Sequence, residues 1–381
     1  MRIEEIQVFP LRIPFKKPAG IASSEYQYCE SMLVKLKAGN FVGFGEAVTD
    51  PVFTGETVDS ILGAIKNFLG PAILGQNPFA LRAIHNRMDM ALVKNTAAKA
   101  ALDMACFDVI GKAVGETVHD LLGGGFNSSI FEVPEIVFGP PDEVLKSCQA
   151  AVAGGVRCLK VKVGEGFDED VGKVKRIREA VGPDVEIRLD ANQGWHNYST
   201  AFKLIKRVER YDISMVEQPL PTKDLRGSAL LRKVTRVPIM LDESVHDVHD
   251  ALSAIALEAC DLISVKIMKA GGLLRIKELV ELCSAHGIPC HMGTSWESEV
   301  GWAANLSLIK GLPGIKLWDA YSPTEIYWGT TVSIATPIQT VVQDGVPVVQ
   351  VAEGPGLGVT VDENMVRKHL IAEPISVREN A

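Results

Sequence analysis

The chain has 381 residues, 47% hydrophobic and 23% charged, with a formal net charge of −8 and a pI near 5.6. That is ample material for a barrel plus an addition, and the acidic balance argues against non-specific binding to nucleic acid or anionic membranes. There is no apolar run of the roughly 18 residues a membrane span needs, and the seven cysteines include no CxxC pair, so a cytoplasmic protein with reduced thiols is expected.

The start, MRIEEIQVFPLRIPF, alternates like a strand and lacks the long apolar core of a signal peptide. EIQVFPLRI, SMLVKLKA and FVGFGEAV predict an antiparallel meander, with Gly39-Asn40 as the tight turn between the last two. The stretch 16–30 between the first two reads as a long loop. Its Lys16, Lys17, Tyr26 and Tyr28 could close over a small ligand, or the loop could simply be solvated. From Thr57 to about Gly115 the apolar spacing becomes helical, and the small-residue-rich TAAKAALDMACFDVIGKAVG predicts a closely packed helix. The expected organisation is an α+β capping domain over 1–125, a barrel over 126–325, and a β-rich segment over 326–381 that returns to the capping domain.

After Gly125 strands and helices alternate. FEVPEIVF, LKVKVG, VEIRLDAN, SMVEQP, PIMLDES, LISVKIM, PCHMGT and GIKLWDAY read as eight strands separated by amphipathic helices. This order argues for a closed parallel (β/α) barrel over an open doubly wound sheet. No GxGxxG follows the first strand, which weakens a dinucleotide-binding reading.

Charges recur once per unit, always at the carboxyl end of a strand. From Lys162 to Asp190 is 28 positions, to Glu217 a further 27, to Asp242 a further 25, and to Lys266 a further 24. Such a repeat brings the charges together at one mouth of the barrel. Asp190, Glu217 and Asp242 without His or Cys partners suit a hard octahedral cation, Mg²⁺ by default with Mn²⁺ as substitute. A single strand-end Asp is more often a helix cap or an ion-pair partner; three in consecutive units are not. Asn192 and Gln193 could support the metal or the bases.

Lys160 and Lys162 are two apart in one strand and project together into the barrel. Their mutual proximity and the metal are expected to depress their pKa values, as a base at neutral pH requires. Lys266 comes from the far side of the barrel and could reach the opposite face of a ligand, while Lys269 lies at the strand end or in the loop. Together these parts imply a small-molecule carboxylate chelated to the cation, loss of its α-proton, and an enediolate stabilised by the metal. A lysine on each face permits racemisation.

The set KVK, RLDANQGW, VEQP, LDES and VKIMKAGG, in this order and at this spacing, resembles the enolase superfamily within its mandelate racemase/muconate lactonizing enzyme family. The resemblance covers nearly the whole chain, including FTGET in the capping region and the closing GPGLG. It implies Asp190, Glu217 and Asp242 as Mg²⁺ ligands and Lys162 and Lys266 as acid/base residues. Lys160 would support Lys162, and Glu297 in GTSWES matches a position where the family often carries Glu. The implied activity is an isomerase, first a racemase or epimerase of an amino-acid derivative or dipeptide, second a muconate-type cycloisomerase. A non-catalytic metal-binding scaffold is a remote third. A symmetric homo-oligomer is also expected.

Departures narrow the substrate. Members with a His at the seventh strand's end differ from GTSWES here, and His291 lies earlier and reads as a satisfied core residue. His246 and His249 read as capping or surface groups. Dipeptide epimerases hold the substrate's amino group with Asp-x-Asp on the last strand, where this chain has Asp319-Ala320-Tyr321. The arginine of glutamate-specific epimerases is replaced by Ser24, which disfavours an Ala-Glu epimerase. Ser24, Tyr26, Trp296, Asp319 and Tyr321 are the candidate substrate-binding residues. Trp296, Trp318 and Tyr321 could form an apolar or cation-accepting wall, or pack the barrel end.

Overall fold

The structure is a computed structural model. It describes residues 1–381 except 22–23, 328–330, 335–336 and 379–381, and only the backbone at 18–21, 24–25 and 324–325. The N-terminal unit is an antiparallel sheet of β1 (Ile3–Ile21), β2 (Ser24–Ala38) and β3 (Phe41–Val48). In β1, Leu11, Ile13 and Phe15 are buried while Arg12, Pro14 and Lys16 face out, the period of two that a half-buried strand imposes. Gly39, at φ +56°, supplies the left-handed backbone of the β2–β3 turn.

The Thr96–Val114 helix lies directly on this sheet. A Cβ on Gly43 or Gly45 of β3 would come within 2.2 and 2.0 Å of the Ala105 and Ala101 carbonyls, so those glycines permit backbone-to-backbone approach. Residues 16–21 and 24–30, expected as a loop, belong to β1 and β2. The β1–β2 ladder shifts register after Pro14↔Tyr28 and resumes with Ala19↔Tyr26, Gly20↔Glu25 and Ile21↔Ser24. Backbone pairing does not require an apolar face, so the Lys16-Lys17 charges did not end the strand.

The barrel follows. β4 (Ile130–Phe131) precedes eight parallel strands: β5 (Glu135–Ile136), β6 (Cys158–Lys162), β7 (Glu186–Asp190), β8 (Ile213–Glu217), β9 (Ile239–Leu241), β10 (Leu262–Val265), β11 (Cys290–Met292) and β12 (Ile315–Trp318). They are ordered by sequence around the sheet. Its two ends approach where Val133 N donates to Ala320 O at 2.8 Å. FEVPEIVF, expected as one strand, is split at Pro134. Phe131 and Ile130 pair outward with a later hairpin, whereas Glu135 and Ile136 pair with β6. Within β6, Leu159 and Val161 join the apolar layer under the outer helices, which leaves Lys160 and Lys162 to the interior.

The C-terminal segment divides. β13 (Thr340–Gln343) and β14 (Val346–Val349) form a hairpin that extends β4 and does not join the N-terminal sheet. β15 (Ile375–Arg378) does return there, pairing with β1. All seven cysteines are buried and free. Among the described residues no helix is long and apolar enough to cross a membrane.

Candidate active site

The barrel register sets the candidate residues side by side. Lys162 pairs with Asp190, and Asp190 with Glu217, across β6, β7 and β8. Asp242 directly follows β9, Lys266 follows β10, and Asp319 follows β12. All six are buried or nearly so.

Their ion pairs form two neighbouring clusters, one around Lys160 and Lys162 and one around Asp242. Lys160 Nζ lies 3.1 Å from Asp190 Oδ2, 2.9 Å from Glu217 Oε2 and 3.0 Å from Asp319 Oδ2. Lys162 Nζ lies 2.8 Å from Asp190 Oδ2 and 2.9 Å from Glu135 Oε1, and donates to Asn192 Oδ1 at 3.0 Å. On the other side Lys266 Nζ stands 2.8 Å from Asp242 Oδ2, with the Phe53 ring centroid 4.3 Å away. Lys162 and Lys266 thus hold opposite ends of the carboxylate row.

The ion pairs set the protonation of the lysines. Burial opposes each ammonium charge, but Asp319, Glu217 and Asp190 outweigh it at Lys160, Asp190 and Glu135 at Lys162, and Asp242 at Lys266. All three lysines are therefore raised, because carboxylates at ion-pair distance favour the protonated form; the expected depression of Lys160 and Lys162 requires a cation to take up those carboxylates. Only Lys269 is lowered, by burial foremost. Burial, then the neighbouring Asp190, pushes Glu217 up to about 8, and burial, then Asp242, pushes Glu243 up to about 7. Asp190 and Asp242 stay below the usual range, since their lysines overcome their burial.

The donor set suits a hard cation. Glu217 Oε1 and Glu243 Oε2 are buried without a hydrogen-bond partner, which is costly for carboxylate oxygens unless something else binds them. Asp242 Oδ2 meets Lys266 at an ion-pair distance but without hydrogen-bond angles. Among the described residues no three acidic, His or Cys side chains close into a ligand cage as they stand; the Lys160 ammonium bridges Asp190 and Glu217 instead.

Several supporting groups had no role assigned from the sequence. Lys269, at the end of a short helix after β10, donates to Asp242 Oδ1, Asp242 O and Ser264 O at 2.7, 2.7 and 2.8 Å. Gln218 accepts from Asp242 N and Ser244 N while its own φ is +37°. Glu243 accepts from Asn192 Nδ2 at 3.2 Å, and Glu135 belongs to the split first strand. Each lies beside a motif residue, but which neighbour turns inward depends on the strand-end geometry.

The expected substrate-binding residues separate into two groups. Tyr26 and Trp296 meet with ring centroids 5.5 Å apart, and Phe15 approaches Trp296 edge-on at 5.9 Å. Asp319 meets the inward-facing Lys160, whereas the buried Tyr321 packs its ring edge-on against Trp302 of the Glu299–Gly311 helix. Asp319 is shared by Lys160 and His291 Nε2 (3.1 Å), and the Tyr321 hydroxyl contacts Thr294 Oγ1 at 3.3 Å. Ser24 pairs with Ile21 through its backbone, and its side chain lies outside the described residues. Trp318 donates its indole N–H to Phe131 O. Glu297 is fully buried and accepts from Ser295 N, and His246 stacks on Phe53.

A parallel eight-stranded barrel with strand-end carboxylates and lysines from both sides defines an enzyme class in which acid, base and cation chemistry meet at one mouth. The chain belongs to the mandelate racemase/muconate lactonizing enzyme family of the enolase superfamily. The family model for the Mandelate racemase / muconate lactonizing enzyme N-terminal domain matches residues 3–123, and the Enolase C-terminal domain-like model matches residues 143–365. The chain is 30% identical to an N-succinyl-L-Arg/Lys racemase of Bacillus cereus, over 98% of this chain and all of that one. The solved structure of that racemase superposes with a TM-score of 0.93 at 29% identity, covering 99% of this chain and 100% of the other. A hydrophobic dipeptide epimerase of Enterococcus faecalis is 33% identical over 94% of this chain and 100% of its own. Its structure, complexed with Mg and the dipeptide L-Leu-L-Tyr, gives a TM-score of 0.85 with the same coverage. Muconate cycloisomerase 1 of Rhodococcus opacus is 30% identical over 96% of this chain and 98% of that one. These relatives are racemases, epimerases and cycloisomerases, all of them isomerases.

Proposed function

We propose that this protein is a Mg²⁺-dependent racemase or epimerase that removes and returns the proton α to a carboxylate. The observation that carries the reading is the placement of Lys162 and Lys266 at opposite ends of one carboxylate row, each within 2.8 Å of a different aspartate. Asp190, Glu217 and Asp242 would hold Mg²⁺, with Mn²⁺ as substitute, consistent with their acceptor-only oxygens and the unpartnered Glu217 Oε1. When bound, the cation supplies positive charge against the negative charge that builds on the substrate carboxylate.

The protein's own residues do the rest. With the carboxylates' charge engaged, the lysines lose the interaction that raises them, and one can present a neutral amine. Lys162 Nζ takes the α-proton from one face, and Lys266 Nζ delivers a proton to the other; the reverse direction exchanges the roles. Lys160, Asn192 and Glu297 are supporting residues, and Ser24, Tyr26, Trp296, Asp319 and Tyr321 are proposed to face or shape the substrate. Asp319 is engaged by Lys160 and His291, which favours a role in shaping the site over direct capture of an amino group.

The racemase and epimerase relatives point to N-acylated amino acids or dipeptides as substrates. The cycloisomerase relative supports muconate-type ring closure as the second reading, which needs only one of the two lysines. The reading includes the division at residue 125 with a C-terminal return, a homo-oligomer and a cytoplasmic location, the last in keeping with seven free buried cysteines.

The test is α-proton exchange in D₂O with Mg²⁺, using N-succinyl-arginine, N-succinyl-lysine, L-Leu-L-Tyr and cis,cis-muconate. Deuterium incorporation with inversion, abolished by chelator, supports the racemase reading. Lactone formation from muconate without exchange elsewhere supports the second. Exchange that persists after the cation is removed contradicts both.

A further inference from the structure

The two lysines at the mouth have different supports. Lys162 is held by Glu135, Asp190 and Asn192, all barrel residues. The Lys266 segment is also gripped from the capping unit. Phe53, in the loop after β3, covers Lys266, and Val48 N contacts Met268 Sδ at 3.4 Å. The Ile267–Ala270 turn packs against the Thr96–Val114 helix.

From that same helix Asp103 accepts from Leu273 N at 2.5 Å, at the start of the barrel helix Leu273–Ala285. His85, also in the capping unit, orients Asp103 from the other side at 2.7 Å. The next barrel helix, Glu299–Gly311, is held the same way. Glu46 of β3 accepts from Ser298 N, Gly301 N and Ser298 Oγ at 3.1, 3.0 and 2.7 Å.

In both places a carboxylate from the cap satisfies N–H groups that a helix start leaves without intrahelical partners. Both contacts need a glycine. A Cβ on Gly272 would stand 2.5 Å from Asp103 Cγ, and one on Gly301 would stand 2.9 Å from Glu46 Oε2. The first latched helix is joined to Lys266 by the Ile267–Ala270 turn and Gly271-Gly272, and the second begins directly beyond Glu297 and Ser298.

We propose that Asp103 and Glu46 are positioning residues for one face of the reaction: they fix the Lys266 side of the mouth to the capping unit, while the partners of Lys162 among the described residues all belong to the barrel. This rests on the racemase reading above. Its consequence is that loosening the latches displaces one base and not the other. In an overall racemisation, equilibrium ties the two directions together, but α-proton exchange from each enantiomer separately reports each base.

The experiment measures exchange in D₂O from the separate L and D forms of whichever compound of the panel above the wild-type protein exchanges fastest. Lys266→Ala and Lys162→Ala assign an enantiomer to each lysine. Asp103→Ala and Glu46→Ala are then expected to slow exchange of the Lys266 enantiomer about tenfold, on the scale that sub-ångström misplacement of a base costs. The other enantiomer should stay within about twofold. Asp103→Asn, which keeps an acceptor oxygen for Leu273, should recover most of the loss. If Asp103→Ala does not fold, His85→Ala should show the same asymmetry, since it frees Asp103 without touching the barrel.

The contrasting variant is Asp108→Ala. Asp108 ties the same helix to Phe44 N and Leu357 N, and none of its hydrogen bonds among the described residues reaches a latched helix, so both enantiomers should slow alike. If Asp103→Ala and Glu46→Ala also slow both equally, the positioning role is overturned while the racemase reading stands. A wild-type protein that exchanges neither enantiomer of any compound overturns the reading itself.

Discussion

Lys162 and Lys266 are the residues on which the chemistry turns, and their environments make them separable. Each ammonium is held to a different aspartate, so removing one leaves the other's ion pair intact. Lys162→Ala and Lys266→Ala are each expected to reduce net inversion by at least about a thousandfold, roughly the span attributed to a positioned acid or base. Each should keep exchange from a single enantiomer. Chiral chromatography with deuterium readout checks this, and an inversion rate unchanged in both variants contradicts the assignment of bases.

Glu217 gives a second prediction at the same scale. Burial and the adjacent Asp190 hold it up to about 8 against an ordinary value of 4.5, so it is largely protonated at pH 7 in the cation-free lattice. Cation binding must expel that proton. Affinity for Mg²⁺ should therefore rise as pH increases from 6 toward 8 and level off above, with proton release on binding. Calorimetry in buffers of different ionisation enthalpy measures the number released; no buffer dependence at pH 7 would contradict the assignment.

Among the elements, the turn after β6 depends on one carboxylate. Asp170, in the Phe167–Val181 helix, accepts from Gly164 N at 2.9 Å, Glu165 N at 3.2 Å and Trp195 Nε1 at 2.9 Å. It joins the loop after Lys162 to the loop after Asp190, and it explains the Trp of RLDANQGW, which is 1% exposed. Asp170→Ala leaves the buried Trp195 indole N–H unpaired and loses the bonds to the less buried Gly164 and Glu165 N–H groups, and should cost about 2 kcal/mol of stability. Asp170→Asn, which keeps an acceptor, should cost less. Denaturant melts of the two variants decide it, and equal losses would show that the volume and not the hydrogen bonds matters.

Across the whole molecule, the union of cap and barrel carries a pH signature. Burial raises Glu46 to about 7, against the opposing hydrogen bonds from Ser298. A folded-state pKa above the unfolded value means the folded protein binds the proton more tightly. Its contribution is fully present below about pH 4.5 and is lost as pH rises through 7. Glu297, raised by burial, acts in the same direction. Wild-type melting temperature should fall between pH 5 and 8 by more than that of Glu46→Gln, whose amide does not titrate. Parallel pH curves for the two proteins would contradict this.

The sequence by itself determined the repeat. Strand alternation and spacing place all eight barrel strands and the helices between them, because the period of side chains along a strand and the length of a βα unit are local properties. The same spacing identified Asp190, Glu217, Asp242, Lys162 and Lys266 as strand-end neighbours. Tertiary structure alone decided what lay between strands. It split FEVPEIVF at Pro134, sent the β13–β14 hairpin to β4, and carried the β1–β2 ladder through Lys16-Lys17. It set which carboxylates hold the lysines protonated, since those come from distant segments, among them Asp319 from the barrel's last strand end. The roles of Lys269, Gln218, Asp103 and Glu46 were equally hidden. Each acts on a partner set by packing across the fold, and no periodicity in one dimension records which buried carboxylate will meet which helix start.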